Sequence, residues 1–404
     1  MRKLANCTAY LIVLLSSVLL IYYGNQYINS HQANGGISMN YEEELDTLIF
    51  AEVISLDGEV EDETGKRITF TATPFGGKKV EGGSIQAYQL LNESSKNTSA
   101  VSLGDKVVLL SYGQEYLFQY YYRLNQVMML GLAIMALILL MGGRKGFHTI
   151  VALSLTCLSI FFLFIPSIKS GYNIYVCTVA ICLYIVIETL IIIYGLSKKS
   201  LITALSCGIG IVCSGTISFF VDKWMKLTGY INDDAYTLST LFGFEVNVKA
   251  VMFSMITIGA LGAIMDVAMS VASPLCELKE TSKEIAPGTL LKYGFNIGKD
   301  FMGTMTNTLI LAYIGSSMFV VLVYSASNYP LMSLLNQEEI VFEFLQSLIG
   351  CLGILVTIPL TTIIASMMLS GGNKQSRHQT RGRTGRRVAV NRSSYHDGGQ
   401  PQFK

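Results

Sequence analysis

The chain has 404 residues, of which 51% are hydrophobic and only 14% charged, and its mean hydropathy is +0.46. Those proportions exclude an ordinary soluble protein of this size and describe an integral membrane protein. The formal net charge of +1 conceals a segregation, because residues 31–123 hold 14 Asp and Glu against 7 Lys and Arg, whereas residues 371–404 hold 8 Lys and Arg against Asp397 alone. The first block reads as a solvated acidic region and the second as a basic tail.

All eight cysteines lie in or beside apolar segments, so the polar block from residue 24 to 125 folds without disulfides. Cys207 and Cys213 have neither CxxC spacing nor a nearby His and read as small core residues. The Met residues read as gap-fillers in the spans, and neither a metal nor another cofactor is expected.

Residues 4–23 follow Arg2 and Lys3 as an apolar run long enough to span a bilayer. No A-x-A-like cleavage site follows; the run ends in Tyr22, Tyr23 and Tyr27, an interfacial aromatic anchor, so residues 1–27 are expected to be an uncleaved signal anchor. Residues 28–123 then change character. Short alternating or β-branched runs at 47–56, 67–73, 84–91 and 106–112 are separated by Asp57-Gly58, Gly76-Gly77, Gly82-Gly83 and Gly104-Asp105. These are the marks of a small all-β domain, a five-stranded barrel or a sandwich-like module. Its glycines form neither GxGxxG nor a P-loop. Tyr116, Tyr120, Tyr121 and Tyr122 fit a headgroup boundary or a last strand, and the two are compatible.

Seven further apolar runs follow, at about 126–141, 149–165, 172–194, 201–221, 248–272, 303–324 and 346–369, which fill a seven-helix membrane domain over residues 124–369. The expected fold is thus an α-helical membrane protein of about eight transmembrane helices with a small all-β extracytoplasmic domain between the first and second. Arg2, Lys3, Arg144, Lys145, Lys198, Lys199, Lys279, Lys283, Lys292, Lys299 and the Arg-rich tail fall on one side, against Lys169, Lys223 and Lys226 on the other. The positive-inside rule then places both termini in the cytoplasm and the β-domain outside, in a bacterial cytoplasmic membrane. Residues 222–247 suggest an outer amphipathic or re-entrant segment, and 277–299 a charged inner connector with a helix start at Pro287. The tail, residues 370–404, is expected to be disordered and to bind anionic lipid or simply enforce topology rather than to recognise nucleic acid.

Polar residues inside the spans concentrate at one depth. Asp266 lies six residues before the inner boundary near Ala272, about 9 Å at 1.5 Å per residue. Glu188 has the same offset from Tyr194; Thr304, Thr306, Asn307 and Thr308, and Thr357, Thr361 and Thr362 around Pro359, reach a similar level. A carboxylate inside a span is costly and by default marks a site for protons or ions. Asp266, Glu188, Asn307, Thr304 and Thr308 are therefore candidates for proton or cation coupling, and Gly259, Gly262, Gly303 and Pro359 for close helix packing or gating. The same hydroxyls and glycines also serve as ordinary interhelical glue. Asp300, beside Lys299 at the membrane edge, reads as a cap or anchor.

The segments GALGAIMDVAMS at 259–270, NIGKDFMGTMTNTLILAYIGSS at 296–317 and TIPLTTIIA at 357–365 resemble the YibE/F-like family of bacterial multi-pass membrane proteins. The resemblance runs from the β-domain through the eighth span and leaves the basic tail uncovered; it implies membrane location and topology and carries no substrate. A shorter likeness joins the Asp-bearing span, Glu277 and the following T-N-T segment to the central helices of the resistance-nodulation-division and SecD/SecF group. That likeness implies a proton-relaying Asp266 working with an outer domain. Two functions follow from these readings, an ion- or proton-coupled transporter or export-type machine, and a non-catalytic scaffold whose β-domain binds an envelope partner. Either leaves room for a homo-oligomer. With no HExxH, no GxSxG and no His in a span, an enzyme is not expected.

Overall fold

The computed structural model describes residues 2–30, 48–62, 65–77, 83–91, 99–112, 115–242, 246–282, 285–327 and 330–370. The tail beyond Ser370, for which disorder is expected, lies outside the described residues. The chain divides into two compact units, one of Leu20–Tyr172 with Thr237–Val246, the other of Met1–Leu19, Asn173–Tyr236 and the residues from Asn247 onward.

In the first unit, the β-rich block forms β1 (Leu48–Asp62), β2 (Gly65–Gly77), β3 (Ile85–Leu91), β4 (Lys106–Tyr112) and β5 (Glu115–Tyr121). They close into a barrel in the order β1-β2-β3-β5-β4, with β3 and β5 parallel and every other pair antiparallel. This is the strand order of an OB-type barrel. Alternation along β2 and β3 buries Ile68 and turns Phe70, Ala72, Ile85 and Ala87 inward, where these four pack with Ile49, Ala51, Val53, Val107 and Leu109. Asp57-Gly58, expected as a turn, lies within β1 instead. Register shifts between Val53 and Ser55 and between Leu56 and Gly58 absorb the pair as bulges, which bend β1 so that it joins both β2 and β4. Buried Gln89 donates to Ser99 O (3.1 Å) and accepts from Val101 N (2.9 Å), which ties down the connection after β3.

Of α1 (Arg2–Ser30), the second half belongs to this unit: a Cβ on Gly24 would stand 2.6 Å from Leu163 Cδ2. After Arg123, α2 (Leu124–Ser159) runs through a π-turn at Ile160–Phe164 into α3 (Ile165–Lys169). The π-turn precedes Pro166, which has no N–H to continue the α-helical ladder. Within α2, Gly143 takes φ 51° and ψ −126°. A Cβ on Gly146 would lie 2.3 Å from the Ile138 carbonyl oxygen, whereas eight residues of straight helix separate atoms by about 12 Å. The chain doubles back there.

The second unit is helical: α4 (Ile174–Tyr194), α5 (Lys198–Met225), α6 (Asp233–Leu241, whose last residues fall in the first unit), α7 (Val248–Thr281), α8 (Pro287–Ser316), α9 (Met318–Ala326), α10 (Leu331–Leu334) and α11 (Glu338–Ser370). Asn173, Ser197 and Asn247 cap α4, α5 and α7 with side-chain oxygens, and Pro287 opens α8 at its first turn. Helix α7 is central. It packs on α4 through Thr178 and Ser254 (2.6 Å), on α5 through Gly210 and Ile264, on α8 through Gly294 and Leu275, and on α11 through Gly353 and Ile264. Small residues at these crossings let the backbones approach, as helix packing in lipid requires.

Among the described residues, six helices are long and apolar enough to cross a bilayer, or seven if α8 and α9, bent by 52°, count as one span. The expected count of eight is not reached this way, because residues 126–141 and 149–165 fall in one helical run. The spans expected to end at 272 and to begin at 303 also extend much further, to Thr281 and back to Pro287. Charged positions such as Glu277 and Glu280 are exposed, while Leu275 and Leu290 are completely buried in a cluster with Val271, Ala365 and Leu369.

Candidate functional site: an open polar face on α7

Met255, Gly259, Gly262, Asp266 and Glu277 are exposed and Ser273 half-buried, at spacings of three, four and seven residues that put them on one face of α7. From Met255 to Glu277 this face runs about 33 Å, close to the ~30 Å of a hydrocarbon core. Its opposite side, with Ile264, Val267, Ala268 and Val271, is the packed core of the unit.

Polar groups gather on the face at both ends. At one end, the Tyr313 and Gln346 side chains hydrogen-bond to each other, and Gln346 Nε2 also donates to Met255 O (3.3 Å). A Cβ on Gly259 would lie 2.7 Å from Tyr313 Oη and 3.0 Å from Gln346 Nε2, so glycine is what admits the pair. Beyond them, Glu343 accepts from Ser316 Oγ at 3.4 Å. At the other end, Lys199 Nζ donates to Ser273 Oγ and lies 4.9 Å from the centre of the Tyr194 ring, and Ser273 Oγ donates to Glu277 at 3.5 Å. Asp266 stands between, on the side of α7 near Tyr194 of α4 and Cys207 of α5.

The contacts also fix depth. Helices α4 and α7 run in the same direction and meet at Thr178 and Ser254; Glu188 lies ten residues beyond the first and Asp266 twelve beyond the second, so their levels differ by about 3 Å. Glu188 is 1% exposed. On antiparallel α8, the pairs Gly259 with Tyr313 and Leu275 with Gly294 bracket Asp266 and set it level with residues 303–306.

Level and facing differ, however. Gly303, Thr304, Asn307 and Thr308 are all exposed, on the side of α8 away from Gly294 and Gly298, which are pressed against α11. The Thr304 and Thr308 hydroxyls donate to their own helix, to Phe301 O (3.1 Å) and Thr304 O (2.9 Å). Thr306 is the hydroxyl turned inward, two turns before Tyr313, and its buried Oγ1 lies against the Cys351 thiol of α11, a weak partner. The spacing from Gly298 to Thr306 to Tyr313 is the sequence signal that picks it out.

Thr357, Thr361 and Thr362 are buried and donate to the carbonyls of Gly353, Thr357 and Ile358 in their own helix. Pro359 sits among them inside α11. Gly262 and Gly303 have no heavy atom within 4 Å of where a Cβ would stand, whereas tight contacts between helices of this unit are made at Gly210, Gly294, Gly298, Gly350 and Gly353. Among the described residues no three His, Cys, Asp or Glu side chains come together as a metal-binding group.

Compared with known proteins, the chain matches the family model described as YibE/F-like protein over residues 130–371. The matched stretch starts inside α2 and takes in every residue of the α7 face; α1 and the barrel precede it. No curated protein and no solved structure matches the chain.

Proposed function

Because the chain belongs to the YibE/F-like family, an integral membrane group by its apolar helices, we propose that it is a proton- or cation-coupled transporter or export-type machine with Asp266 as the coupling residue. The observation that carries this reading is Asp266 midway along an open face of α7, with Tyr313, Gln346 and Glu343 toward one end and Lys199, Ser273 and Glu277 toward the other. On insertion scales an Asp at mid-helix costs about 2.5–3.5 kcal/mol, which is relieved where water or protein meets the face. A carboxylate in that position takes up a proton or a cation from the water that reaches it, and the polar groups above and below extend a route along the helix. Thr306 is the α8 group best placed to complete the site; Glu188 lies at the same level on α4.

In this reading the chain crosses a bacterial cytoplasmic membrane eight times, the doubling-back at Gly143 dividing α2 into two crossings and α8 with α9 forming one bent crossing. The distribution of Lys and Arg supports cytoplasmic termini and an outer barrel.

The test is flux in liposomes that contain the purified protein, under an imposed pH gradient or potential, across a panel of monovalent and divalent ions. Asp266→Asn is expected to remove flux that the wild type supports. Equal flux in that variant would overturn the assignment.

A second reading, a scaffold whose barrel binds an envelope partner, is favoured by one feature. Arg67 stacks 3.9 Å from the centre of the Tyr88 ring, and the Tyr88 hydroxyl donates to Glu115 at 2.9 Å, a hydrogen bond that raises the phenol pKa. These side chains are pre-arranged on the outside of the barrel for recognition. In that case Arg67→Ala would abolish a cellular phenotype that Asp266→Asn leaves intact.

A further inference from the structure

Where the barrel meets α2, a cleft of about 410 Å³ is lined by Lys106, Tyr121, Tyr122, Arg123, Asn125 and Gln126, together with Asp105. Each cation is braced by a ring. Lys106 Nζ lies 5.4 Å from the centre of Phe75, and the Arg123 guanidinium 5.9 Å from that of Tyr121. Phe75 in turn packs edge-on against Tyr122 at 5.5 Å, and the Tyr121 hydroxyl donates to Ser99 O at 2.6 Å, so the aromatic walls are themselves held. Among the described residues no carboxylate lies within ion-pairing distance of Lys106 or Arg123. Asp105, the acidic group of the cleft, has its carboxylate taken up by the Ser102 backbone N–H at 2.8 Å. The cleft thus presents two cations, two side-chain amides and the first turn of α2, which no side chain caps.

Its position identifies the occupant. The apolar surface of α2 begins one residue beyond Gln126, with Val127, Met128, Met129 and Leu130 all more than half exposed. The cleft therefore lies at the depth where headgroups give way to hydrocarbon, and its paired cations over aromatic rings match a phosphate joined to an acyl-bearing backbone. We propose that the cleft binds the phosphate of an anionic phospholipid headgroup, with Lys106 and Arg123 as the charge partners and Asn125 and Gln126 as hydrogen-bond donors. The site fixes the barrel to the bilayer surface and holds whether or not Asp266 couples transport.

Full-length protein in nanodiscs of phosphatidylcholine with a minority of phosphatidylglycerol, released and weighed by native mass spectrometry, tests this. Wild type is expected to retain phosphatidylglycerol in preference to phosphatidylcholine. Each of Lys106→Gln and Arg123→Gln is expected to reduce that preference roughly 5-fold, and both together about 25-fold, while Arg123→Lys keeps most of it. The wild-type preference should also fall as salt is raised, a measurement that needs no variant. Equal retention of the two lipids by wild type, or an unchanged preference in the folded double variant, would overturn the proposal. Competition by inorganic phosphate at low concentration would identify free phosphate as the ligand and overturn the lipid assignment.

Discussion

A Cβ on Gly298 would stand 2.2 Å from Cγ2 of Ile358, closer than any two such carbons approach. This contact, with Gly294 against Thr362 one turn away, clamps α8 to α11 and decides which side of α8 looks outward. Gly298→Ala is expected to force the helices apart and to cost about 1–3 kcal/mol. Thermal unfolding of the detergent-purified protein measures it; an unchanged midpoint would show that the clamp yields without cost.

Thr306 carries a buried hydroxyl whose neighbour is the Cys351 thiol, a weak hydrogen-bond partner. A hydrogen bond to a thiol contributes little, so Thr306→Val is expected to stay within about 1 kcal/mol of wild type in thermal stability. If the hydroxyl serves the Asp266 site, the same variant loses at least tenfold in coupled flux. A variant that is destabilised and fully active would assign Thr306 to packing alone.

Gln89 holds both the Val101 N–H and the Ser99 carbonyl from inside the barrel. Gln89→Leu leaves both groups without that partner and is expected to cost about 1–3 kcal/mol, localised to the connection between β3 and β4. Hydrogen exchange read by mass spectrometry should show the Val101 amide deprotected first. Uniform deprotection across all five strands would mean that the barrel opens only as a whole.

Asp57 accepts from Thr71 Oγ1 (2.6 Å) and Ser55 Oγ (2.8 Å), and these hydrogen bonds hold its carboxyl below the ordinary carboxylate range. A lowered native pKa means that the unfolded chain takes up the proton first as pH falls. The contribution is fully present at neutral pH and is lost as pH drops through the native value. Exchange protection of the β1 and β2 amides is therefore expected to exceed that of Asp57→Asn at neutral pH and to converge with it in acid. A difference that persists unchanged in acid would remove the carboxylate from the explanation.

The strands and most spans were legible because each depends on its own residues. The alternation of Arg67 through Thr73 and the apolar run of α4 declare themselves locally. Barrel against sandwich did not, since closure depends on β5 lying beside β3, a pairing at Tyr88 and Leu117 that no local pattern encodes. The extensions of α7 to Thr281 and of α8 back to Pro287 were hidden because Glu277 and Glu280 occupy an exposed face of a helix whose other face buries Leu275. The level of Asp266 could be read from chain direction and rise per residue. Which side of α8 faces α7 could not, because Gly294 and Gly298 set it through contacts with α11, and the exposed Asn307 and Thr304 are the consequence.

Only Tyr122 and Arg123 separate the end of β5 from the start of α2. During synthesis, β1 must wait some sixty residues for β4, and β3 about thirty for β5, so the barrel stays open until the segment directly ahead of α2 has emerged. Barrel closure and entry of α2 into the bilayer then fall at nearly the same moment in the growth of the chain. A delay in either one would leave an unpaired strand edge beside an apolar helix, which opens this junction to aggregation during biogenesis.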